Sequence, residues 1–292
     1  AASWLRSTMG RRGFEVVWDP LFRSKFGDAA DEIALPWFWA RVHDRTASLG
    51  YLDGGFQLLY ERLRERVLEL GGSVLLGAEV TAIASRDARL AVAVRHGQAA
   101  AELALDAVLS TLPTRLTCRL CVDLPPSYRE RHDWPRAYGA HCLILGLDRP
   151  LTDVYWLNLN DPGFPFMAVV EHTNLRSPEE YGGLHLLYLA NYRPMDDPIY
   201  GASAEQLVAD WTDALRRLNP DFSPDWIRAS WVQAAPFAQP IVTTDYQQHI
   251  PPFDTPVPGL FVANMFQVYP HDRGQNYSIA LAEDVVRHMG RS

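Results

Sequence analysis

The strongest constraint on the fold lies at the C-terminal end, where an apolar strand, a polar loop and an amphipathic helix follow one another. Residues 260–263 are apolar, Asn264 ends the run, and an apolar stripe of a helix extends from Ile279 to Met289. Gly274, just before this helix, allows close backbone approach to a ligand, and a helix N-terminus favours anionic or electron-rich atoms. An ordinary strand–loop–helix closing an α/β layer fits the same pattern, so the segment alone leaves both interpretations open.

A second α/β unit spans residues 51–112. It begins with a predicted helix over 56–70, whose apolar positions recur every three or four residues and are expected to pack against a core. Gly71 and Gly72 end this helix, since glycine readily takes the left-handed conformation after a helix. The strands predicted after it are 74–76, 80–83, an alternating run around 90–94, and 107–112.

Residues 126–256 form a region of a different kind, in which short strands are separated by proline, glycine and aspartate turns. This pattern predicts a mainly antiparallel sheet. A helix over 204–218 interrupts the strands, and Ser203 with Gln206 predicts a capping box at its start. The predicted strands are 141–147, 154–159, 166–170, 184–190 and 227–232.

Composition excludes several classes of protein. The 292 residues carry 35 acidic and 27 basic side chains, a net charge of −8, which disfavours a nucleic-acid partner. No apolar run reaches the length of a membrane span, so no integral membrane segment is expected. Three cysteines cannot build a disulfide framework, and this predicts a cytoplasmic location. The nine histidines have no metal-binding spacing, so no metal site is predicted.

Three segments together resemble the flavin-binding motifs of the amine oxidase and protoporphyrinogen oxidase-like flavoproteins, relatives of phytoene desaturase and UDP-galactopyranose mutase. The C-terminal segment is GLFVAN at 259–264 followed by DRGQNYSIA at 272–280. The middle motif is GYLDGGF at 50–56, with GGSV at 71–74 and VTAI at 80–83. DAVLSTLP at 106–113 is similar to the strand and turn beside the dinucleotide.

The resemblance implies FAD as the cofactor and assigns residues to it. Val80 would offer its backbone to the adenine, Thr111 to Pro113 would line the adenosine and pyrophosphate, and Asn264 would lie near the ribityl chain. Arg273 would pair with phosphate, and Gly274 would allow the backbone to approach the flavin. The residues Gln275, Asn276, Tyr277 and Ser278 would approach the flavin at the start of the last helix. Tyr269 and His271 would face a small-molecule substrate.

The fold class expected is α/β with an α+β substrate region, that is, a remnant of a Rossmann-like FAD domain plus a mainly antiparallel sheet with helices. Residues 51–125 and 257–292 are predicted to form the FAD part, and residues 1–50 and 126–256 the substrate part. The Gly-x-Gly-x-x-Gly turn that should grip the pyrophosphate is absent from the sequence. In the family this turn lies upstream, so the sequence is expected to be N-terminally truncated and to bind FAD weakly by itself.

The function expected is oxidation of an unidentified substrate by hydride transfer to flavin N5. The only lysine is Lys25, so a lysine bridged by water to N5, as in many amine oxidases, has no candidate in the substrate region. One alternative is a flavin-dependent isomerase of the UDP-sugar mutase kind, with Arg136, Arg176 and Arg193 holding a diphosphate. Another is a non-catalytic fragment. No catalytic acid or base is assigned.

Overall fold

The computed structural model describes residues 1–44, 48, 50–134, 136–271 and 274–290. The α-helices of these residues are α1 Ala2–Gly13, α2 Asp19–Phe26, α3 Leu35–His43, α4 Gly55–Glu69, α5 Thr114–Leu120, α6 Pro126–His132, α7 Ala204–Leu218 and α8 Gln275–Met289. The strands are β1 Ala78–Arg86, β2 Arg89–His96, β3 Ala99–Leu105, β4 Val108–Ser110, β5 Ala137–Leu147, β6 Trp156–Asn158, β7 Ala168–Glu171, β8 His185–Pro194, β9 Ile227–Pro240 and β10 Leu260–Val262.

The chain divides into two compact units. Unit 1 contains Ala1–Leu35 and Arg136–Thr244, and unit 2 contains Pro36–Pro135 and Asp245–Ser292. The boundaries of these units differ from those predicted from the sequence. Unit 2 contains three segments that the sequence pattern places in the substrate region, namely 36–50, 126–135 and 245–256. The assignment of the FAD to one region and of the substrate to the other stays a prediction.

Unit 1 is built on a five-stranded antiparallel sheet in the order β6-β7-β8-β5-β9. Along β5 the side chains alternate, because successive residues of a strand point to opposite faces. Leu143, Leu145 and Leu147 are fully buried and form a core with Trp211 and Leu215 of α7. The capping box of α7 is present, with Gln206 N donating to Ser203 Oγ and Ser203 N donating to Gln206 Oε1. The predicted antiparallel sheet and its helix are therefore confirmed.

Unit 2 contains a three-stranded antiparallel sheet in the order β1-β2-β3. Ile83, Leu90 and Val92 of this sheet share a core with Cys121 at the end of α5 and with Leu260 of β10. Residues from both chain segments of unit 2 thus contribute to one apolar cluster. Strand β3 is absent from the sequence prediction, and the predicted strand at 74–76 is wrong, because those residues lie in an irregular segment and a turn.

A two-stranded parallel pair, β4 with β10, forms the second sheet of unit 2. Gly259 makes this pairing possible: it has a φ of 78° and its Cα lies so close to Asp106 O that an added Cβ would be 2.8 Å from that oxygen. Its carbonyl accepts from Val108 N at 2.9 Å. Among the described residues β4 has no strand partner other than β10.

Helices α4 and α8 bury little of their apolar surface. No residue of α4 is buried, and in α8 only Val285 is, while Ile279 and Val286 are exposed. The expectation that the apolar stripe of α4 packs against a core is therefore wrong for the described residues. Both helices form where the periodicity predicts them, but nothing in the described part of unit 2 covers their apolar faces enough to exclude water.

No described helix is both long enough and apolar enough to cross a membrane.

Candidate functional site

A cavity of 330 Å³ lies within unit 2, between the carboxyl ends of β4 and β10 and one side of α8. Four residues predicted to bind the cofactor, Thr111, Pro113, Asn264 and Ser278, line this cavity together. The other lining residues are Leu109, Ala263, Met265, Leu281, Ala282, Val285 and Val286. The wall is thus mostly apolar with a few polar groups, which is typical of ligand sites.

Asn264 connects β10 to the loop that forms one wall of the cavity. Its side chain is buried, and Oδ1 accepts from Phe266 N at 3.0 Å while Nδ2 donates to Thr114 Oγ1 at 3.1 Å. Its backbone N–H donates to Gln267 Oε1 at 2.7 Å. The amide of this side chain supplies the acceptor for one of its two bonds and the donor for the other. Asn264 therefore fixes the loop as well as lining the cavity.

The N-terminus of α8 has backbone donors that no side chain caps. Gly274 is the N-cap residue, and no described side chain accepts from the first-turn N–H groups. Ser278 donates its N–H and its hydroxyl to Gly274 O, at 2.9 and 3.0 Å. The N–H groups of a first helical turn have no partner within the helix and carry partial positive charge. This terminus can accept an electron-rich ligand edge.

The backbone of Gly274 is extended, with φ −169° and ψ 156°, a conformation open to any residue. An added Cβ would lie 2.8 Å from Asn276 Oδ1 and 3.6 Å from Tyr277 Cδ2, so a larger residue here would displace the end of the Asn276 side chain. Gln275 points elsewhere, and its Nε2 donates to Tyr60 Oη of α4 at 2.7 Å. Asn276 and Tyr277 do not line the cavity.

Tyr277 and His271 form a stacked pair beside this helix. Their ring centroids are 4.4 Å apart with an interplanar angle of 13°. His271 Nδ1 lies 3.5 Å from Asp44 Oδ2, and the other oxygen of Asp44 lies 2.8 Å from His43 Nδ1. The structure thus places a predicted substrate residue against a predicted cofactor residue. Sequence analysis missed Asp44, since no motif spacing connects it to a residue more than two hundred positions away.

Tyr269, the other predicted substrate residue, is half-buried, and burial raises the pKa of its hydroxyl. Its ring lies 5.9 Å from that of Tyr246, whose own hydroxyl donates to Phe266 O. Val80 lies in the sheet of β1, next to an irregularity of register between Val80 and Ala82, and does not line the cavity. Arg273 lies outside the described residues.

The cavity fits part of a flavin dinucleotide. Its volume is at the lower end of the range of about 300–1,000 Å³ for ligand sites. The apolar wall suits a flat ring, and Ser278 is the polar residue that the start of α8 contributes to that wall. The donors that would neutralise the pyrophosphate are a glycine turn and its helix, and the sequence has no Gly-x-Gly-x-x-Gly.

Other candidate chemistry in the sequence does not form a site. Cys118 and Cys121 are buried free thiols, and burial raises the pKa of Cys118 to about 11, which opposes a redox thiolate. Among the described residues no three histidine, cysteine, aspartate or glutamate side chains are close enough to hold a metal ion. Arg136 is bonded to Glu32 and Arg176 to Glu180.

The chain is similar in fold to several solved structures. A protoporphyrinogen oxidase from Exiguobacterium sp. 255-15, itself described as putative, has 18% identity and a TM-score of 0.76, covering 99% of this chain and 66% of that one. An oxidoreductase from Methanosarcina mazei has 17% identity and a TM-score of 0.70, covering 99% and 67%. A reduced UDP-galactopyranose mutase has 13% identity and a TM-score of 0.72, covering 99% and 68%. The chain therefore spans about two thirds of the length of these proteins.

No curated protein matches the sequence. The sequence pattern of the flavin-containing amine oxidoreductases, however, matches residues 1–271, which is nearly the whole chain. This agrees with the mixed helical and antiparallel architecture. The chain belongs to the flavin-containing amine oxidoreductase family.

Proposed function

We propose that this chain provides the substrate region and part of the cofactor site of an FAD-dependent oxidoreductase that transfers a hydride from its substrate to flavin N5. The observation that carries the proposal is the cavity of unit 2, where the ends of β4 and β10 meet the side of α8 close to its uncapped N-terminus. When bound, the flavin supplies the hydride acceptor, and the protein supplies binding, orientation and electrostatics.

The first turn of α8 would hold the electron-rich edge of the ring. Its N–H groups, which no described side chain caps, and the positive end of the helix dipole would stabilise negative charge there by about 0.3–1 kcal/mol. Leu281 and Val285 line the cavity further along the helix and would offer apolar contact to the ring. Asn264 and Thr114 keep the opposite loop at a fixed distance through their buried hydrogen bond.

His271 is the candidate for holding the substrate proton. Asp44 Oδ2 lies 3.5 Å from Nδ1 and favours the tautomer with its proton on that nitrogen, which would leave Nε2 to accept a proton from the substrate. Stacking on Tyr277 fixes the plane of the ring. The proposal assigns His271 as base and Asp44 as the residue that orients it.

The open edge of β4 indicates how the site is completed. A two-stranded parallel sheet is marginal alone, and parallel sheets are normally covered on both faces. Here β4 pairs only with β10 among the described residues, and the apolar faces of α4 and α8 are exposed. We propose that further polypeptide adds a parallel strand to β4 and brings the glycine turn that holds the pyrophosphate. This chain alone is then expected to bind FAD weakly.

The mutase alternative has less support from the side chains. Of the three arginines that would hold a diphosphate, Arg136 and Arg176 each pair with a carboxylate. Arg193 donates to Pro165 O and has no carboxylate within ion-pair distance among the described residues. The similarity to the mutase shown above is one of fold.

A fluorescence-quenching titration of FAD into the purified chain tests the proposal. We expect weak, saturable quenching that is lost in Gly274→Val, because the new side chain displaces the Asn276 side chain and occupies the space in which the backbone before α8 would approach the flavin. The matched control is Gly201→Val in unit 1, where an added Cβ meets nothing within 4 Å, and this variant should quench like the unchanged chain. Equal quenching by both variants would show that the loop before α8 does not hold the cofactor.

A further inference from the structure

Unit 1 contains a cavity of its own, with a volume of 480 Å³. Helix α2 forms one wall, the loop over residues 159–167 forms the second, and the last residues of β8 form the third. The pairing of β7 with β8 ends at Ala168 and Ala190, so the edge of β8 beyond this point faces the cavity instead of a strand. A cavity of this size can hold a ligand of one or two fused rings with a polar substituent.

Arg193 is a charged group in the wall for which the described part of the chain provides no counter-ion. Its Nη2 donates to Pro165 O at 3.0 Å, which fixes the guanidinium, and its buried Nε has no hydrogen-bond partner among the described residues. No described carboxylate lies within ion-pair distance of it. A fixed guanidinium with free donors is suited to a carboxylate, which it can bind through two parallel hydrogen bonds.

The neighbouring charges favour a ligand with a single negative charge. Asp19 is paired with Arg23 at 2.9 Å, and Asp161 with Arg217 at 2.6 Å, so these carboxylates at the cavity are neutralised. Asp28 is exposed, where solvent screens its charge. One uncommitted guanidinium near several carboxylates matches a monoanion better than a doubly charged phosphate.

The remaining wall is aromatic and uncharged. Tyr138, Phe164, Phe166 and Tyr192 line the cavity. Asn191, which is 5% exposed, donates from Nδ2 to Pro165 O at 2.9 Å and adds a polar group next to Arg193. These four aromatic rings provide stacking surfaces for a planar apolar ring system.

We propose that this cavity binds a small organic carboxylate with a planar apolar body, whose carboxylate pairs with Arg193 and whose ring lies among the aromatic side chains. All of its lining residues belong to unit 1, and the inference does not depend on flavin binding by unit 2. The charge of Arg193 provides specificity for the acid, and the rings provide most of the contact area.

The test uses 2-naphthoate and its uncharged amide, 2-naphthamide, as probes, with binding measured by calorimetry and by saturation-transfer NMR on the full chain. We expect 2-naphthoate to bind and the amide to bind much more weakly. Arg193→Gln should weaken 2-naphthoate binding about 10- to 100-fold, as loss of a charge-assisted hydrogen bond does, and should leave the amide unchanged. Arg176→Gln, which removes an arginine of unit 1 outside the cavity, is the control and should bind like the unchanged chain.

A second variant covers the case in which Arg193→Gln does not fold. Ser24 lies on α2 at the cavity, and its hydroxyl bonds only to Leu21 O of its own helix. Ser24→Phe fills the cavity without touching Arg193 and should abolish 2-naphthoate binding. Equal binding of acid and amide, unchanged binding in either cavity variant, or no binding of 2-naphthoate to the unchanged chain would each overturn the proposal. Any of these results leaves the flavin proposal for unit 2 standing.

Discussion

Glu171 makes the stability of unit 1 depend on pH in a direction opposite to that of most carboxylates. Its side chain is fully buried at the end of β7, Oε2 accepts from Leu151 N and Thr152 N at 3.1 and 3.3 Å, and Oε1 has no partner among the described residues. Burial disfavours the charged form and outweighs these two bonds, so the pKa rises from 4.5 to about 7.

The direction of this pH dependence follows from which state, folded or unfolded, binds the proton of Glu171 more tightly. The folded state binds this proton more strongly than the unfolded state. The contribution of Glu171 to the free energy of unfolding is therefore highest below about pH 4.5 and falls as pH rises to about 7. The loss is about 3 kcal/mol, at 1.36 kcal/mol for each pKa unit. Because the side chain is buried, solvent screening does not reduce this figure much.

Glu171→Gln removes the charge and keeps an oxygen for the two backbone donors. Urea unfolding followed by tryptophan fluorescence, from about pH 4 to about pH 8, should show that this variant lacks the loss of about 3 kcal/mol seen in the unchanged chain. Glu179→Gln, at an exposed position of the same unit, is the control and should keep the loss. Parallel pH profiles for the unchanged chain and Glu171→Gln, or a Glu171 carboxyl that titrates below pH 5 by NMR, would refute the reasoning.

Further predictions concern the core, the loop and the proposed base. Leu143→Ala should lower the free energy of unfolding by about 2–5 kcal/mol in urea titrations, because Leu143 is fully buried. Asn264→Ala should cost about 1–3 kcal/mol, since Phe266 N loses its acceptor and Thr114 its donor, and thermal unfolding measures this. In the catalytically complete enzyme, His271→Ala should lower kcat while flavin absorbance per mole stays constant. Asp44→Asn should also lower kcat in the same assay, whereas an unchanged kcat in both variants would remove His271 as the base.

The sequence predicts helices and strands correctly where the apolar periodicity agrees with the capping and turn residues. Helix α7 has both an apolar stripe and the Ser203–Gln206 capping box, and it occupies the predicted residues. Strand β3 was missed because its residues are largely exposed alanines and glutamate, which give no alternation to read. Residues 74–76 have the apolar pattern of a strand but no partner, and periodicity alone cannot supply one.

The candidate site was predictable only in part, for the same reason. Thr111, Pro113, Asn264 and Ser278 follow strands or begin a helix in recognisable motifs, and the structure brings them to one cavity. Asp44 could not be found, because its relation to His271 arises from tertiary packing of two loops. The exposure of α4 could not be predicted from the sequence either. An apolar stripe shows that a helix packs against something, but it does not identify the partner.

Photolabelling with an azido-substituted FAD, followed by peptide mass spectrometry, tests the central claim most directly. The account predicts labels in the segments around residues 109–113 and 263–286, which surround the cavity of unit 2, and their loss when excess unlabelled FAD is present. Competable labels confined to unit 1, such as in β5 or β8, would contradict it.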